Sequence, residues 1–508
     1  MRTPHLGPYD GYGEASPGDT GSTGSDLLVV SNRQPYRHEF DDGEIAVDRP
    51  AGGLTAGLDA AMRSVDGTWI AWGDGDADAE VVDGSNRVAV PPEADAGQYD
   101  LERVWLSEDQ EHDYYYGFSN RVLWPICHSA LTEVVGKGRY WDHYRQVNGL
   151  FAETVANAAG DSVVWFHDYH LALAPERVRE RTGGRAFLLH TWHIPWPSWD
   201  VFRACPHGHE LLCGLLGNDL IGFHVGRYCE NFLRCVANAL PEARVDWDHW
   251  HVDYAGGRTA VRAFPMGVDA ETIHREADSE AAHEFWADFA DEHDLEGRRV
   301  GVGVDRLDYS KGIDARVRAL ERLWEREPEW REAFTFVQVG TESRSLIPAY
   351  SDYQAEVEDA IDRVNDRFGT DDWTPIVYTT EMLDDEALYA LYREADVAVI
   401  SPIRDGMNLV AQEYVAAQHG AGGALVLSDQ VGAHDELHEW VLSINPHDSD
   451  AVASTIDDAL RLPVGERRAR MNALRQYVAD HDIDAWMDDV LGTVDAMRRP
   501  AESTAAHV

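Results

Sequence analysis

Lysine is almost missing from this chain of 508 residues: it stands only at Lys137 and Lys311, although Lys and Arg together number 43. Positive charge is scarce altogether, because Asp and Glu number 91 and leave a net charge of −48. A surface of that sign excludes polyanionic partners such as nucleic acid or an anionic membrane. It does not indicate an acidic disordered protein, because 44% of the residues are hydrophobic, 10% are aromatic and 17 are Trp. The charge therefore reads as a surface adapted to a salt-loaded, halophilic cytoplasm, where screening removes self-repulsion. Cysteine is also sparse: five residues (127, 205, 213, 229, 235) form no CxxC pair, which fits reduced thiols and excludes a disulfide framework. Four of them fall near His207, His209 and His224, but their spacings match no zinc signature, so no metal is expected. No apolar run approaches the roughly eighteen residues that suggest a membrane-spanning helix. Residues 1–25 are rich in Gly, Ser, Asp and Pro and lack a basic start followed by an apolar block, so they read as a disordered tail and not a signal peptide. Residues 499–508 read as a second tail, and the expected location is cytoplasmic.

What the chain does contain is alternation. Short apolar runs at 27–30, 68–72, 87–90, 163–166, 186–190 and 220–223 are separated by helical patterns such as 54–64, 140–157 and 227–240. The pattern repeats more cleanly at 299–304, 334–339, 375–379, 397–401 and 424–428. Runs this short and this apolar, spaced by helices, predict parallel strands buried on both faces. The expected fold is α/β, two Rossmann-like doubly wound domains, and ligands in such sheets sit outside the carboxyl ends of the strands. The turn residues Phe264-Pro265-Met266-Gly267 mark the boundary, giving domains at 26–264 and 265–465, with helices over 466–498 packing back on the first domain. The acidic stretch 74–100 reads as a surface excursion, and there is no internal repeat.

The residues with chemical promise follow these strands. Arg306-Leu307-Asp308-Tyr309-Ser310-Lys311-Gly312 places a guanidinium and one of the two lysines at a strand's end, which suits a diphosphate leaving group. The competing reading is a surface ion pair between Arg306 and Asp308. Asp405-Gly406-Met407-Asn408-Leu409-Val410 opens a helix whose amides could hold phosphate oxygens, with Glu413 one turn on and able to accept from ribose hydroxyls. In the first half, Ser31-Asn32-Arg33, the Gly52-Gly53 turn, the aromatic cluster from Tyr114 to Trp124 and His167-Asp168-Tyr169-His170 suit a sugar phosphate. Trp124 could equally be core, and His193 could be a buried imidazole satisfied by its neighbours.

These segments, with Ala51-Gly52-Gly53, Phe118-Ser119-Asn120, Val122-Leu123-Trp124-Pro125 and His167-Asp168-Tyr169-His170-Leu171, resemble in order the trehalose-6-phosphate synthases of glycosyltransferase family 20 from about residue 27 to 495. The resemblance implies GT-B architecture and transfer of glucose, with retention and without metal or cofactor, from a nucleotide-glucose (most often UDP-glucose) to glucose 6-phosphate. By motif match, Arg33, Tyr115, Trp124 and Arg344 would hold the acceptor phosphate and Asp168 an acceptor hydroxyl. Gly52, Gly53, His193, Arg306, Lys311, Asp405, Gly406, Met407, Asn408, Leu409, Val410 and Glu413 would hold the donor, with Leu383 near the base; Arg306, Lys311, Asp405 and His193 would serve catalysis. Gly340-Thr341-Glu342-Ser343 departs from the family's proline-containing stretch before Arg344, and Trp196 stands where Phe is common. The partners implied are the two small substrates, with a homo-oligomer left open. Three rivals stand beside this reading: another acceptor such as glycerol 3-phosphate, a metal-dependent transferase using Asp74-Gly75-Asp76, and a catalytically silent subunit. A fused phosphatase would need an Asp-x-Asp-Gly-Thr signature that the sequence lacks.

Overall fold

The computed structural model describes residues 27–49, 53–63, 67–92, 98–420 and 422–499, so Gly52 and both expected tails, apart from Arg499, lie outside the described residues. The first sheet is built from β1 (Leu27–Val30), β4 (Gly67–Trp72), β5 (Arg87–Val90), β6 (Tyr99–Val104), β7 (Val163–His167), β8 (Phe187–Thr191), β9 (Leu220–Phe223), β10 (Arg244–Asp246), β11 (His251–Tyr254) and β12 (Gly257–Ala263); β2 (Arg37–Asp41) and β3 (Glu44–Asp48) form a separate hairpin. The order is β10-β11-β12-β9-β8-β7-β1-β4-β6-β5, parallel from β12 to β6 and antiparallel at both edges. The second sheet, β13 (Arg299–Arg306), β14 (Phe334–Thr341), β15 (Ile376–Thr379), β16 (Val397–Ile400), β17 (Ala424–Ser428) and β18 (Leu442–Ile444), is fully parallel in the order β15-β14-β13-β16-β17-β18.

Strand order decides where ligands can enter. In the second sheet it reverses between β13 and β16, and in the first between β1 and β7, leaving a crevice beyond the strand ends at each reversal. A buried arginine fixes the second crevice. Arg316 is fully buried, pairs with Asp305 at 2.8 Å, and donates to Gln338 on β14 at 2.9 Å and to Ser401 after β16 at 3.0 Å. Removing either partner would strand a buried charge, so the ends of β13, β14 and β16 are held in register.

Two sequence expectations change here. The stretch 74–100 is more than a surface excursion: Asp78 is fully buried, pairs with the buried Arg103 at 2.9 Å, and accepts from Gln34 in the loop after β1. The compositional signal there, a run of acids, says nothing about one member being neutralised inside. The C-terminal helices also divide between the domains. Helix Val464–Asp480 sends Met471, Leu474 and Val478 into the second domain's core, whereas helix Ile483–Arg498 packs Ile483, Trp486, Met487, Val490 and Val494 with Leu27, Trp69 and Trp165 of the first. No helix among the described residues is long and apolar enough to cross a membrane.

Candidate active site

Beyond β1, β7 and β13 three guanidiniums converge. Arg344, in the loop after β14, reaches from the second domain to the first: its guanidinium lies 4.0 Å over the Trp124 ring, and Nη2 donates to Tyr169 Oη at 3.3 Å. Nη1 donates to Tyr350 Oη at 2.7 Å and to the buried Asp308 at 3.2 Å. Arg306 lies 5.8 Å from the same Trp124 ring, and Arg33 hydrogen-bonds the Tyr115 phenol. Among the described residues neither the Arg306 nor the Arg33 guanidinium forms an ion pair, so the expected alternative of an Arg306–Asp308 pair gives way to Arg344–Asp308. Burial, then Arg344 and Arg33, depress Arg306 below its ordinary value. Burial pushes Tyr115 up, but Arg33, then Arg344 and Arg306, outweigh it and bring the phenol down to about 8. Three cations against the two buried carboxylates Asp308 and Asp168 leave positive charge in excess, a pocket for an anion such as a phosphate monoester. Trp124, 4% exposed, is both core and pocket wall, so the two readings of it coincide.

The second constellation sits at the switch point of the parallel sheet. Lys311 Nζ lies 2.6 Å from Asp405 Oδ2, and Asp405 also accepts from the Gly406 amide at 2.8 Å and Asn408 Nδ2 at 3.1 Å. Burial pushes the Asp405 carboxyl up, yet Lys311 dominates and holds it at about 2. Two glycines are sterically required. A Cβ on Gly312, at φ +63°, would lie 2.4 Å from the Ser401 carbonyl, and one on Gly406 would lie 2.0 Å from the His193 carbonyl across the domain interface. Asn408 caps helix Leu409–Ala417 by accepting from Ala411, leaving the first-turn amides of Leu409 and Val410 free of a side-chain cap. Met407 is buried in the second core, and Leu383 packs against the same core beside the exposed Met382. Burial raises Glu413 to about 7, where Tyr392 donates to it at 3.4 Å. Gly53 starts helix Gly53–Met62.

Between these lie Asp168 and His193. Asp168 adopts φ +67° and ψ 178°, a region that L residues avoid, and β8 holds it there: its amide donates to the Thr191 carbonyl at 2.8 Å and its carbonyl accepts from His190 Nε2 at 2.9 Å. Burial raises its carboxyl to about 6 against the amides of Tyr169 and His193, and Oδ1 has no partner among the described residues. The His193 ring contacts His167 and His224, and burial, then His224 and His167, keep it far below its usual range. By contrast Asp74 accepts from Gln34 and Asp76 from the Phe40 amide, so the Asp74-Gly75-Asp76 carboxylates serve the β2–β3 hairpin; no cluster of three metal-ligating side chains occurs among the described residues. A groove of about 570 Å³ between helices Ile313–Arg326 and Pro348–Phe368 is occupied by Arg–Glu pairs such as Arg367–Glu321 and carries none of these groups.

The profile of glycosyltransferase family 20 matches residues 25–496. The chain belongs to glycosyltransferase family 20. It is 38% identical over 487 residues to the trehalose-6-phosphate synthase of Mycobacterium sp. (strain KMS), covering 93% of this chain and 95% of that one, and 36% identical over 502 residues to that of Mycolicibacterium smegmatis, covering 96% and 95%. Its fold superposes with a TM-score of 0.82 on the Escherichia coli protein bound with UDP-2-fluoro glucose, at 32% identity over 92% of this chain and 99% of that chain. It superposes equally well, at 31% identity and over 92% and 100%, on the Burkholderia xenovorans α,α-trehalose-phosphate synthase in complex with glucose-6-phosphate. The architecture is GT-B and the protein is a glycosyltransferase of trehalose biosynthesis by glucosyl transfer.

Within this family-20 site several residues have roles that the sequence did not assign. Asp308 and Tyr350 anchor Arg344, Tyr169 bridges Arg344 to Asn120 at 2.8 Å, and His170 stacks on Tyr115 at 5.7 Å with neither ring nitrogen partnered among the described residues. The cue available for His170 and Tyr169 was membership of the strand-end His167-Asp168-Tyr169-His170 run.

Proposed function

We propose that this enzyme transfers glucose from UDP-glucose to glucose 6-phosphate with retention at the anomeric carbon, giving α,α-trehalose 6-phosphate and UDP. The observation that carries the reading is the adjacency of the Arg33/Arg306/Arg344 pocket to the Lys311–Asp405 pair, joined through Asp308, whose carboxylate accepts from Arg344 and whose carbonyl accepts from the Lys311 amide at 2.9 Å: one cationic site for the acceptor's phosphate, one for the donor's diphosphate. The acceptor would rest its phosphate on Arg33, Arg344 and Tyr115, pack on Trp124 and give a hydroxyl to Asp168. The donor would lie over Gly52, Gly53 and the Gly406–Val410 turn, its ribose against Glu413, its base beside Leu383 and its glucose against Asp405 and His193.

A retaining hydrolase uses two carboxylates roughly 5 Å apart, one of them a free nucleophile; with a diphosphate leaving group the nucleophile alone would be needed for a double displacement. Here Asp405 is engaged by Lys311, Gly406 and Asn408 and Asp308 by Arg344 and Ser310, and Asp168, whose Oδ1 is unpartnered among the described residues, is assigned to the acceptor hydroxyl, which favours displacement on the same face. Arg306 and Lys311 stabilise the negative charge developing on the departing diphosphate, whose oxygen takes the proton from the attacking hydroxyl. Lys311→Ala is expected to lower kcat by about 100-fold with an unchanged far-UV spectrum, and Arg33→Ala to raise KM for glucose 6-phosphate by about tenfold.

The deciding experiment assays the protein in molar salt with UDP-, GDP- and ADP-glucose, each with glucose 6-phosphate or glycerol 3-phosphate, and identifies the product linkage by NMR. Trehalose 6-phosphate formed fastest from UDP-glucose supports the reading; turnover with glycerol 3-phosphate alone, or with no acceptor, sinks it. An osmolyte supply in a salt-loaded cytoplasm would fit the acidic surface, and sedimentation in the same salt would show whether a homo-oligomer forms.

A further inference from the structure

Three histidines from consecutive strand ends of the first sheet form one line: His167 Nδ1 lies 3.0 Å from His193 Nε2, His193 Nδ1 lies 3.3 Å from His224 Nε2, and His224 Nδ1 lies 3.4 Å from the Phe264 carbonyl at the domain boundary. The last contact gives the line a direction. A carbonyl only accepts, so His224 carries its proton on Nδ1 and offers Nε2 as a lone pair. His193 must then donate from Nδ1, which leaves its Nε2 to accept from His167 Nδ1. The reverse order would set the Phe264 oxygen against a bare nitrogen. We propose that His224 is a positioning residue for His193: through this chain it fixes one neutral tautomer of His193 and holds the ring, and with it the carbonyl pressed on Gly406, in place beside the donor turn.

The surroundings favour the neutral form. His167 and His224 are buried, and burial opposes a proton on all three rings, aided at His193 by His224 and His167 and at His167 by His190; at His224 burial outweighs the Phe264 carbonyl, Asp405 and the His193 backbone, which favour the proton. Trp486 of the C-terminal helix roofs the line: its Nε1 donates to the same Phe264 carbonyl at 3.2 Å, and its ring lies 6.5 Å from His193. The titratable groups facing the line are Asp168 from the end of β7, His190 from β8 and Asp405 from the second domain. A proton on His193 would break one of its two hydrogen bonds. The nitrogens of His193 are thus both used by the protein, so its contribution to the site comes through placement.

The kinetic arm of the test rests on the proposed glucosyl transfer; the spectroscopic arm does not. In His224→Gln the amide oxygen can accept from His193 Nδ1 and the amide N–H can donate to Phe264, so kcat should stay within about threefold of the unmodified enzyme. In His224→Leu both bonds are lost: kcat should fall by about tenfold with KM for glucose 6-phosphate little changed, and the nitrogen-15 pattern of His193 should lose its single tautomer while burial still keeps the ring neutral. Nitrogen-15 spectra of histidine-labelled unmodified protein, with His193 assigned by its loss in His193→Gln, should show the Nδ1–H tautomer and no titration from about pH 5.5 to 8. An Nε2–H tautomer or a titrating His193 overturns the proposal, as does a His224→Leu enzyme with unmodified rate and an unmodified His193 tautomer. If His224→Leu fails to fold, the spectra and the His224→Gln enzyme still decide. If no glucosyl transfer is detected at all, the functional reading fails while the tautomer measurement stands.

Discussion

Tyr115 stands among Arg33, Arg344 and Arg306, which together bring its phenol to about 8 despite burial. The sign of the consequence follows from the charges. Below that value the neutral phenol leaves the guanidiniums their full charge for a phosphate dianion; above it the phenolate cancels part of that charge and repels the ligand. KM for glucose 6-phosphate should therefore rise by about three- to tenfold between about pH 7 and pH 9, and Tyr115→Phe should flatten that limb. Initial rates against acceptor concentration across that range check it; a flat KM in the unmodified enzyme excludes the role. The same convergence of guanidiniums predicts that a bound phosphate monoester stabilises the fold: it should raise the melting temperature in proportion to the logarithm of its concentration, measured by calorimetry at fixed salt.

Strand ends and helix starts determine how these residues meet. Gly406 illustrates how little space the donor turn has, since its Cα faces the His193 carbonyl from the other domain. Gly406→Ala must push the domains apart at that point, so it should lower kcat/KM for the nucleotide-glucose by about 100-fold or more while the melting temperature changes by only a few degrees. Titration of donor binding and a thermal scan on the same preparation test both halves. What sequence reading recovered is tied to this geometry. Short apolar runs of parallel strands announce themselves, and in a doubly wound sheet the residues following them, Arg33, Asp168, Arg306, Lys311 and Asp405, necessarily face the crevices. The edge strand β10 and its neighbour β11 escaped because they are short and half polar, and the Arg103–Asp78 pair because an acidic run gives no hint that one carboxylate is buried. Contacts such as Arg344 to Tyr169, separated by 175 residues, have no local pattern to read.

At the scale of the whole molecule the excess of acid dominates. At about 0.01 M salt the screening length is roughly 30 Å, so the charges of a −48 chain repel one another across the entire body; at about 1 M it shrinks to roughly 3 Å and the repulsion is confined to neighbours. The melting temperature should climb steeply with KCl at low concentration and level off as screening saturates. A curve that is flat below molar salt would contradict the surface reading. Exposed pairs such as Arg461–Glu329 and Arg367–Glu325 add little to this balance, because solvent already screens them.

The final helix has a bearing on how the chain is made. Ile483, Trp486, Met487, Val490 and Val494 complete a core whose other members begin at Leu27, while the second domain's sheet and core lie between Val268 and Val478. A ribosome therefore delivers everything the second domain requires before it delivers the last piece of the first. The usual order of synthesis, amino-terminal unit first, is inverted: the first domain must wait with Trp69 and Trp165 partly uncovered until residue 494 has emerged, and a chain truncated before that helix would lose the domain it began with.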